Sequence, residues 1–326
     1  MTSRLRSIPL RDRTADSLLF VPPDGFERAQ TAALHNLNVL VLAPRGGGKT
    51  SALHQLELRL RDDGAPPVVF ADLAGVDAPH AALQTLVALA SESIGADVLW
   101  KPPPARPHEA DEDLAARTAI RQLAGLTACR FLIDNASAEK VAYPLFGTFR
   151  DRLWDTPHQW ILAAALHDRG RLLRPPADAF WEEVVDLSLT QSQAHDLLVR
   201  RIEGTAPWAQ ALVGELGTTN PRQLIRAALA ATIHPDGPEA VVATRRRLQE
   251  QVDRLGERPA ILLEELRSRG PVSASDPELL DRLGWARTTV LRALDDLVEA
   301  GLVQTYEQPQ GRGRPRRLFA PVDADA

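Results

Sequence analysis

The chain has 326 residues, 44% of them hydrophobic and 25% charged, and its formal net charge is −5. This composition excludes fibrous and wholly disordered proteins, and the length is sufficient for one large core or for two to three smaller cores. The negative charge gives the whole molecule no electrostatic attraction for DNA or for anionic membranes. Any DNA contact therefore requires a local basic patch.

Three features of the sequence favour a cytoplasmic protein, and the last of them favours a reducing environment. No apolar run is long enough to span a bilayer. The first residues, MTSRLRSIPLRDR, lack the apolar centre of a signal peptide. Cys129 is the only cysteine and cannot form an internal disulfide. We therefore expect a cytoplasmic, globular protein without a membrane segment.

Five short apolar runs alternate with helix-length segments over the first two thirds of the chain. The runs are NVLVLA (38–43), PVVFADL (67–73), CRFLID (129–134), WILAAA (160–165) and VVDLSL (184–189). Segments such as SALHQLELRLRDD and PHAALQTLVALASES have helical length, whereas WKPPPARPHEADED (100–113) has the prolines and charges of a surface loop. This alternation predicts an α/β fold with a parallel sheet covered by helices on both faces.

Strand signals end near residue 190. Four segments that are separated by Gly and Pro residues then predict helices, at 190–203, 206–216, 221–233 and 238–256. The last segment, from 258 to 326, changes character again. We therefore predict three domains: an α/β domain with an N-terminal arm over 1–188, a helical domain over 189–256 and a C-terminal domain over 257–326.

The stretch VLVLAPRGGGKTS (39–51) lies between a predicted strand and a predicted helix, which is the setting of a phosphate-binding loop. It matches G-x-x-x-x-G-K-[ST] with alanine in place of the first glycine. Small residues let backbone N–H groups surround a β-phosphate, the lysine reaches the β and γ oxygens, and the threonine offers a hydroxyl to Mg²⁺. The predicted ATP- or ADP-binding residues are Ala43, Pro44, Arg45, Gly46, Gly47, Gly48, Lys49, Thr50 and Ser51. The alternative is a glycine-rich turn with an incidental lysine.

A second acidic element follows another strand. RFLIDNAS delivers Asp134 to a strand end, where its carboxylate would help to hold Mg²⁺. The alternative is an aspartate that caps the next helix. Asn135 follows it, where hydrolytic relatives usually have a glutamate. An amide can position a water molecule but cannot take its proton. We therefore expect hydrolysis to be slow or to depend on another group.

With these motifs the chain resembles AAA+ ATPases, within them the origin-recognition-like and STAND-like branch, over residues 20 to 325. WILAAALHDRG resembles the sensor-1 strand, VVDLSLTQSQAHDLLVRRI resembles the entry into a helical lid, and GTTNPRQLIRAAL is similar to the G-N-P-R sensor-2 motif. The resemblance implies that Arg222 reaches the γ-phosphate from the lid, a role that suits a planar guanidinium. A solvated arginine after a proline helix start is the alternative.

Two features depart from that resemblance. Ala164 and Ala165 stand where the sensor-1 strand usually ends in a water-orienting polar residue. An arginine finger, which ring-forming relatives supply from a neighbouring subunit, cannot be assigned from the sequence. The arginines considered for it, each also readable as an ordinary surface residue, are Arg150, Arg152, Arg169, Arg171 and Arg174.

The C-terminal segment resembles winged helix-turn-helix domains of the MarR and related regulator families, with LGWARTTVLRALDDLVEAGLV as turn and recognition helix and QTYEQPQGRGRPRRLFAPV as wing. Helical spacing places Val290, Ala293, Leu294 and Leu297 toward a core. The residues left for contact with double-stranded DNA are Arg287, Thr288, Thr289 and Arg292 on the helix and Arg312, Arg314, Arg316 and Arg317 on the wing. Because acidic residues offset the arginines from residue 258 onward, a protein-docking role is the alternative.

The function predicted from the sequence is an ATP-controlled DNA-binding switch, in which the nucleotide sets lid position and assembly. Two other classes remain open. One is a homo-oligomeric ring that hydrolyses ATP as a loader or motor on DNA. The other is a signalling or defence scaffold whose winged helix binds a protein partner.

Overall fold

The computed structural model describes residues 5, 8–11, 16–64, 66–95, 109–202, 207–216, 218–234, 236–308 and 316–322. Two compact units divide the chain. The α/β unit consists of Ser7–Arg201 with Thr219–Arg222. The helical unit consists of Met1–Arg6, Ile202–Thr218 and Gln223–Ala326.

A five-stranded parallel sheet forms the centre of the α/β unit. Its strands are β1 (Val39–Ala43), β2 (Val68–Asp72), β3 (Arg130–Asp134), β4 (Gln159–Ala165) and β5 (Glu183–Asp186). Their order across the sheet is β2-β3-β4-β1-β5, and every neighbouring pair is parallel. All five apolar runs are therefore strands, and the predicted α/β fold with a parallel sheet is confirmed.

Helices cover both faces of this sheet. They are α1 (Phe26–Leu34), α2 (Lys49–Asp62), α3 (Pro79–Ile94), α4 (Glu109–Ala124), α5 (Arg150–Trp154), α6 (Arg169–Leu172) and α7 (Gln191–Arg201). Helices α1 and α2 pack on one face, with α3 and α4 on the other. Strand β1 contributes to both cores, because Leu40 and Leu42 face one layer while Val39 and Val41 face the other. This two-sided burial explains why the strands read as continuous apolar runs.

Local sequence signals explain where the helices begin and end. Helix α3 begins with Pro79, whose missing N–H is not needed there, and is followed by Gly95 in the left-handed conformation. The predicted surface loop over 100–113 is wrong for its last five residues, because α4 begins at Glu109. Acidic residues in the first turn of a helix interact favourably with its dipole, so the charges read as a loop signal also suit a helix start. Residues 100–108 lie outside the described residues.

The helical unit contains α8 (Pro207–Leu216), α9 (Pro221–Ile233, from its third residue), α10 (Pro238–Leu255), α11 (Glu257–Arg269), α12 (Pro277–Leu283) and α13 (Arg287–Glu299). Strands β6 (Val303–Gln308) and β7 (Arg316–Pro321) form an antiparallel pair. Helices α7 to α10 thus lie where the sequence predicts helices. No described helix has the length and hydropathy needed to cross a bilayer.

Helices α11 to α13 and the β6–β7 pair share one hydrophobic core. Leu262, Leu294 and Phe319 are buried in it. The end of α10 joins this core through Val252, and the Gln251 side-chain amide donates a hydrogen bond of 2.7 Å to the Ala300 carbonyl. The last turns of α10 therefore pack with the C-terminal elements.

Candidate nucleotide-binding and DNA-binding sites

The predicted phosphate loop connects β1 to α2 and is closed by its own backbone. Gly47 N–H donates to the Pro44 carbonyl at 3.0 Å, and α2 begins at Lys49. Gly46 and Gly48 have positive φ angles of 81° and 88°. Glycine adopts this conformation without the strain that a Cβ atom imposes. A glycine-rich turn that leads into a helix N-terminus is a backbone arrangement that can present N–H groups to an anion.

The Lys49 ammonium lies over the start of this loop. It donates hydrogen bonds to the carbonyls of Ala43 at 3.1 Å and Pro44 at 3.2 Å. Burial lowers the pKa of Lys49 below its ordinary value, Asp134 counteracts this, and Arg222 lowers the pKa further. A bound phosphate group would counteract this lowering of the Lys49 pKa, because it would add negative charge next to the ammonium.

Thr50 and Asp134 form an oxygen pair beneath the loop. The Thr50 hydroxyl donates to Asp134 Oδ2 at 2.5 Å, and the Asp134 side chain is buried. The short helix that follows β3 is capped by Ser137, whose hydroxyl accepts from the Lys140 N–H. A hydroxyl and a carboxylate are hard oxygen donors that suit Mg²⁺, so these two residues would hold the ion together with nucleotide phosphates. Bound Mg²⁺ would neutralise charge on those phosphates.

Asn135 connects the end of β3 to the end of β2. Its backbone is left-handed, with φ 57°, and its N–H donates to Asp134 Oδ1 at 3.0 Å. Its side-chain amide donates to Asp72 Oδ1 at 2.9 Å. Asparagine tolerates this backbone region better than most residues. The amide that replaces the usual glutamate is therefore bonded to a carboxylate on the neighbouring strand.

Arg222 and Asn220 lie against the phosphate loop. The Asn220 amide donates to the Arg45 carbonyl at 2.9 Å, and its Oδ1 accepts from the Arg222 N–H at 3.1 Å. The same Arg222 N–H lies 3.3 Å from the Gly46 carbonyl. A Cβ atom on Gly46 would lie 2.9 Å from both Asn220 Oδ1 and Arg222 Cβ. The start of α9 therefore fits the loop only if residue 46 is glycine.

Alanines end β4, next to the phosphate loop. Ala165 is the register partner of Ala43, and neither Ala164 nor Ala165 has a polar side chain to offer a water molecule. Asp168 follows three residues later and raises the pKa of Lys49, opposing the larger effect of burial. It therefore contributes negative charge near the ammonium.

Four of the five arginines considered as fingers are engaged within the α/β unit. Arg150 donates to Asp151 and stacks on Trp154, and Arg169 donates to Asp186 at 2.5 and 2.7 Å. Arg171 lies 3.7 Å from Glu139, and Arg174 stacks on Tyr143. These contacts are those of surface arginines. None of them assigns a finger.

The N-terminal arm reaches the P-loop helix, since the Leu10 N–H donates to the Ser51 hydroxyl at 3.1 Å. Through this hydrogen bond, Ser51 contacts the N-terminal arm.

Sequence reasoning did not single out Asp72, Asp168 and Asn220. A signal for Asp72 existed, because VVFAD delivers an acidic residue to a strand end just as RFLID does. Asp168 follows β4 in a similar way. Asn220 lies within the stretch GTTNPRQLIRAAL, but its bond to Arg45 joins residues 175 positions apart.

The four predicted DNA-contacting residues of α13 lie in its first turns. Arg287, Thr288 and Arg292 are exposed, and Thr289 is half-buried. The predicted core face is buried: Val290, Ala293, Leu294 and Leu297 each expose 3% or less. Thr288, Thr289 and Arg292 border a groove of about 510 Å³, whose other side is formed by the start of α11.

The predicted wing is partly described. Arg316 and Arg317 begin β7, while Arg312 and Arg314 lie outside the described residues. Arg316 Nη2 lies 3.9 Å from Asp276 Oδ2. Arg317 Nη1 lies 3.9 Å from Asp295 Oδ1, and the Arg317 guanidinium stacks on the ring of Phe319. Acidic residues of the same unit thus offset part of the basic charge.

The chain matches no protein-family model and no curated protein sequence. Among solved structures, it is similar to the Orc1 protein of Aeropyrum pernix in complex with DNA, with 15% identity, coverage of 95% of this chain and 92% of that chain, and a TM-score of 0.51. Cdc6p of Pyrobaculum aerophilum has 18% identity, coverage of 94% of each chain and a TM-score of 0.49. The RuvB Holliday junction branch migration motor of Thermotoga maritima has 16% identity and a TM-score of 0.45. The match covers 96% of this chain and 95% of that chain. The Orc1 match, together with the strand order, shows that the chain has a P-loop NTPase fold of the kind found in that structure.

Proposed function

We propose that this protein binds ATP with Mg²⁺ at residues 43–51 and uses the state of the nucleotide to control binding of double-stranded DNA by its C-terminal elements. The observation that carries the proposal is the joined arrangement of Lys49, Thr50, Asp134 and the start of α9 around one loop. Each group has a role in holding phosphates or Mg²⁺, and the loop geometry requires glycine where it approaches α9.

Coupling is supported by the position of α9. Asn220 and Arg222 belong to the α/β unit and contact the loop, and the same helix continues from Gln223 as part of the helical unit. A γ-phosphate that attracts the Arg222 guanidinium therefore acts on the first turn of a helix that both units share. A ligand shifts an equilibrium only through different affinities for two states. In this proposal the γ-phosphate supplies that difference.

DNA binding is supported by the C-terminal elements, which have the order of a winged helix-turn-helix domain: three helices followed by an antiparallel strand pair. Arg287 and Thr288 at the start of α13 are exposed and would reach base edges, and Arg316 and Arg317 on β7 would contact phosphates. The Orc1 structure that resembles this chain is a complex with DNA.

A scaffold function is the second candidate, and the acidic partners of the wing arginines favour it. Asp276 and Asp295 lie near Arg316 and Arg317, so this surface carries charge of both signs. Such a surface suits a protein partner as well as a nucleic acid. In that case the nucleotide would control protein docking.

A gel-shift titration of duplex DNA with the full chain separates the two candidates. It compares ATP, ADP and no nucleotide, each with Mg²⁺, at two salt concentrations. The switch predicts salt-dependent DNA binding whose affinity changes with the nucleotide. Equal affinity in all three nucleotide states would reject the switch and favour the scaffold.

A further inference from the structure

A second carboxylate lies beside Asp134 at the edge of the sheet where the phosphate loop is found. Asp72 ends β2, and the parallel pairing of β2 with β3 places it opposite Asp134. Asp134 is 1% exposed, whereas Asp72 is exposed. The two residues are 62 positions apart in the chain, and their proximity results from strand pairing.

The two carboxylates differ in how their oxygen atoms are used. Both oxygens of Asp134 accept hydrogen bonds, Oδ2 from Thr50 and Oδ1 from the Asn135 N–H. Asp72 Oδ1 accepts from the Ala74 N–H at 3.1 Å and from the Asn135 side chain at 2.9 Å. Within the part of the chain that the structure describes, Asp72 Oδ2 accepts no hydrogen bond. The lone pairs of Asp72 Oδ2 therefore remain available for a hydrogen bond from a water molecule.

Asn135 orients this open carboxylate. Its side-chain amide fixes Asp72 Oδ1, and its backbone is fixed in turn by Asp134. A continuous series of hydrogen bonds thus runs from the Thr50 hydroxyl, the expected Mg²⁺ ligand, through Asp134 and Asn135 to Asp72. Catalytic groups are commonly held in this way by neighbours that set their orientation.

We propose that Asp72 accepts the proton of the water molecule that hydrolyses ATP, and that Asn135 is the residue that positions it. This inference rests on the proposed function, because it requires ATP in the loop. The water oxygen forms a bond to the γ-phosphorus, and the bond between that phosphorus and the β–γ bridging oxygen breaks. The electron pair leaves with ADP, and the water proton goes to Asp72 Oδ2 and then to solvent or phosphate. In this chain the carboxylate thus ends β2, and the amide that positions it follows Asp134 at the end of β3.

Asp72→Asn tests the proposal with little structural change. Asparagine keeps an oxygen that can accept from Ala74 and Asn135, so the turn after β2 is retained, but it cannot take a proton. The matched control is Asp77→Asn, which removes an exposed carboxylate paired with Lys140 a few residues further along. ATP affinity is measured by calorimetry, and hydrolysis by single-turnover assays on the full chain with Mg²⁺.

We expect Asp72→Asn to bind ATP as the wild type does and to hydrolyse it about 10²- to 10⁴-fold more slowly, which is the usual contribution of a general base. The control should keep the wild-type rate. Wild-type hydrolysis in Asp72→Asn, or no hydrolysis in a wild type that binds ATP, would overturn the inference and leave the proposed nucleotide site intact. A wild type that binds no ATP would overturn both.

A swap of the two residues supplies a readout that does not depend on activity. Asn135→Asp alone sets two carboxylates at hydrogen-bond distance, so we expect its midpoint of thermal unfolding to fall. Adding Asp72→Asn restores an acid–amide pair in the reverse order and should recover that midpoint. The swapped protein should also hydrolyse ATP about tenfold or more faster than Asp72→Asn, because it again has a carboxylate in the pair. A swap that recovers neither quantity would count against the inference.

Discussion

Asn220 offers a test of how strongly the start of α9 is held against the phosphate loop. Two hydrogen bonds between its side chain and described residues differ in chemistry. Its amide nitrogen donates to the Arg45 carbonyl at 2.9 Å, and its oxygen accepts from the Arg222 N–H at 3.1 Å, which caps the helix. Asn220→Ala removes both bonds, whereas Asn220→Asp keeps the cap and replaces the donor with an oxygen that cannot bond to the Arg45 carbonyl.

The expected losses of stability follow from these bonds. A neutral hydrogen bond contributes about 1 kcal/mol, and an N-cap asparagine about 1 kcal/mol relative to alanine. Asn220→Ala should therefore lower the free energy of unfolding by roughly 2 kcal/mol and Asn220→Asp by roughly 1 kcal/mol. For a unit of this size, 1 kcal/mol corresponds to about 2–4 °C in the unfolding midpoint. The expected decreases are about 4–8 °C and about 2–4 °C.

Nucleotide affinity should follow the opposite order. Asn220→Asp places a carboxylate next to the Arg45 carbonyl and the phosphate-binding backbone, where it repels a phosphate. The aspartate variant should thus be the more stable of the two and the weaker binder of ATP. Calorimetric scanning and isothermal titration measure the two quantities.

Thr219→Ala is the matched control, because no hydrogen bond of this neighbouring side chain is found among the described residues. It should leave both quantities near the wild-type values. If both Asn220 variants unfold at the wild-type temperature, the two bonds contribute nothing and the start of α9 is not held by this residue. If the two variants bind ATP equally, the Asn220 side chain does not lie near bound phosphate.

Four further predictions follow from the same contacts. Lys49→Ala should abolish ATP and ADP binding, because the phosphates lose the ammonium that lies over the loop, and unchanged calorimetric affinity would reject the site. Thr50→Ala should still bind nucleotide but with weaker dependence on Mg²⁺, as a titration of the ion would show. Arg222→Ala should leave ADP affinity nearly intact yet remove the difference in DNA affinity between ATP and ADP, and a persistent difference in gel shifts would exclude Arg222 as the sensor. Arg317→Ala should weaken binding to all duplexes and reduce the salt slope by about one unit, whereas Arg287→Ala should reduce the preference among sequences, and the reverse pattern would contradict the assigned roles.

The sequence by itself determined the elements and the glycine-rich turn between β1 and α2, because both depend on local patterns. Strands buried on both faces are continuous apolar runs, and proline and glycine mark helix ends such as those of α3. The run GGGKT between a strand and a helix was sufficient to locate the loop. The same kind of pattern placed Asp134 at the end of β3. The one clear error, at the start of α4, arose because acidic residues suit both a surface loop and the first turn of a helix.

Tertiary structure decided which of these local features meet. The order β2-β3-β4-β1-β5 places Asp72 opposite Asp134, and a different strand order would have separated them. From the sequence, Asn135 indicates only that the usual glutamate base is missing. In the fold, its side-chain amide donates a hydrogen bond to Asp72. The approach of Asn220 to Arg45 likewise depends on where the chain returns after α8. Pairings of this kind join residues tens to hundreds of positions apart, and local periodicity carries no information about them because it reports only neighbours within a few turns.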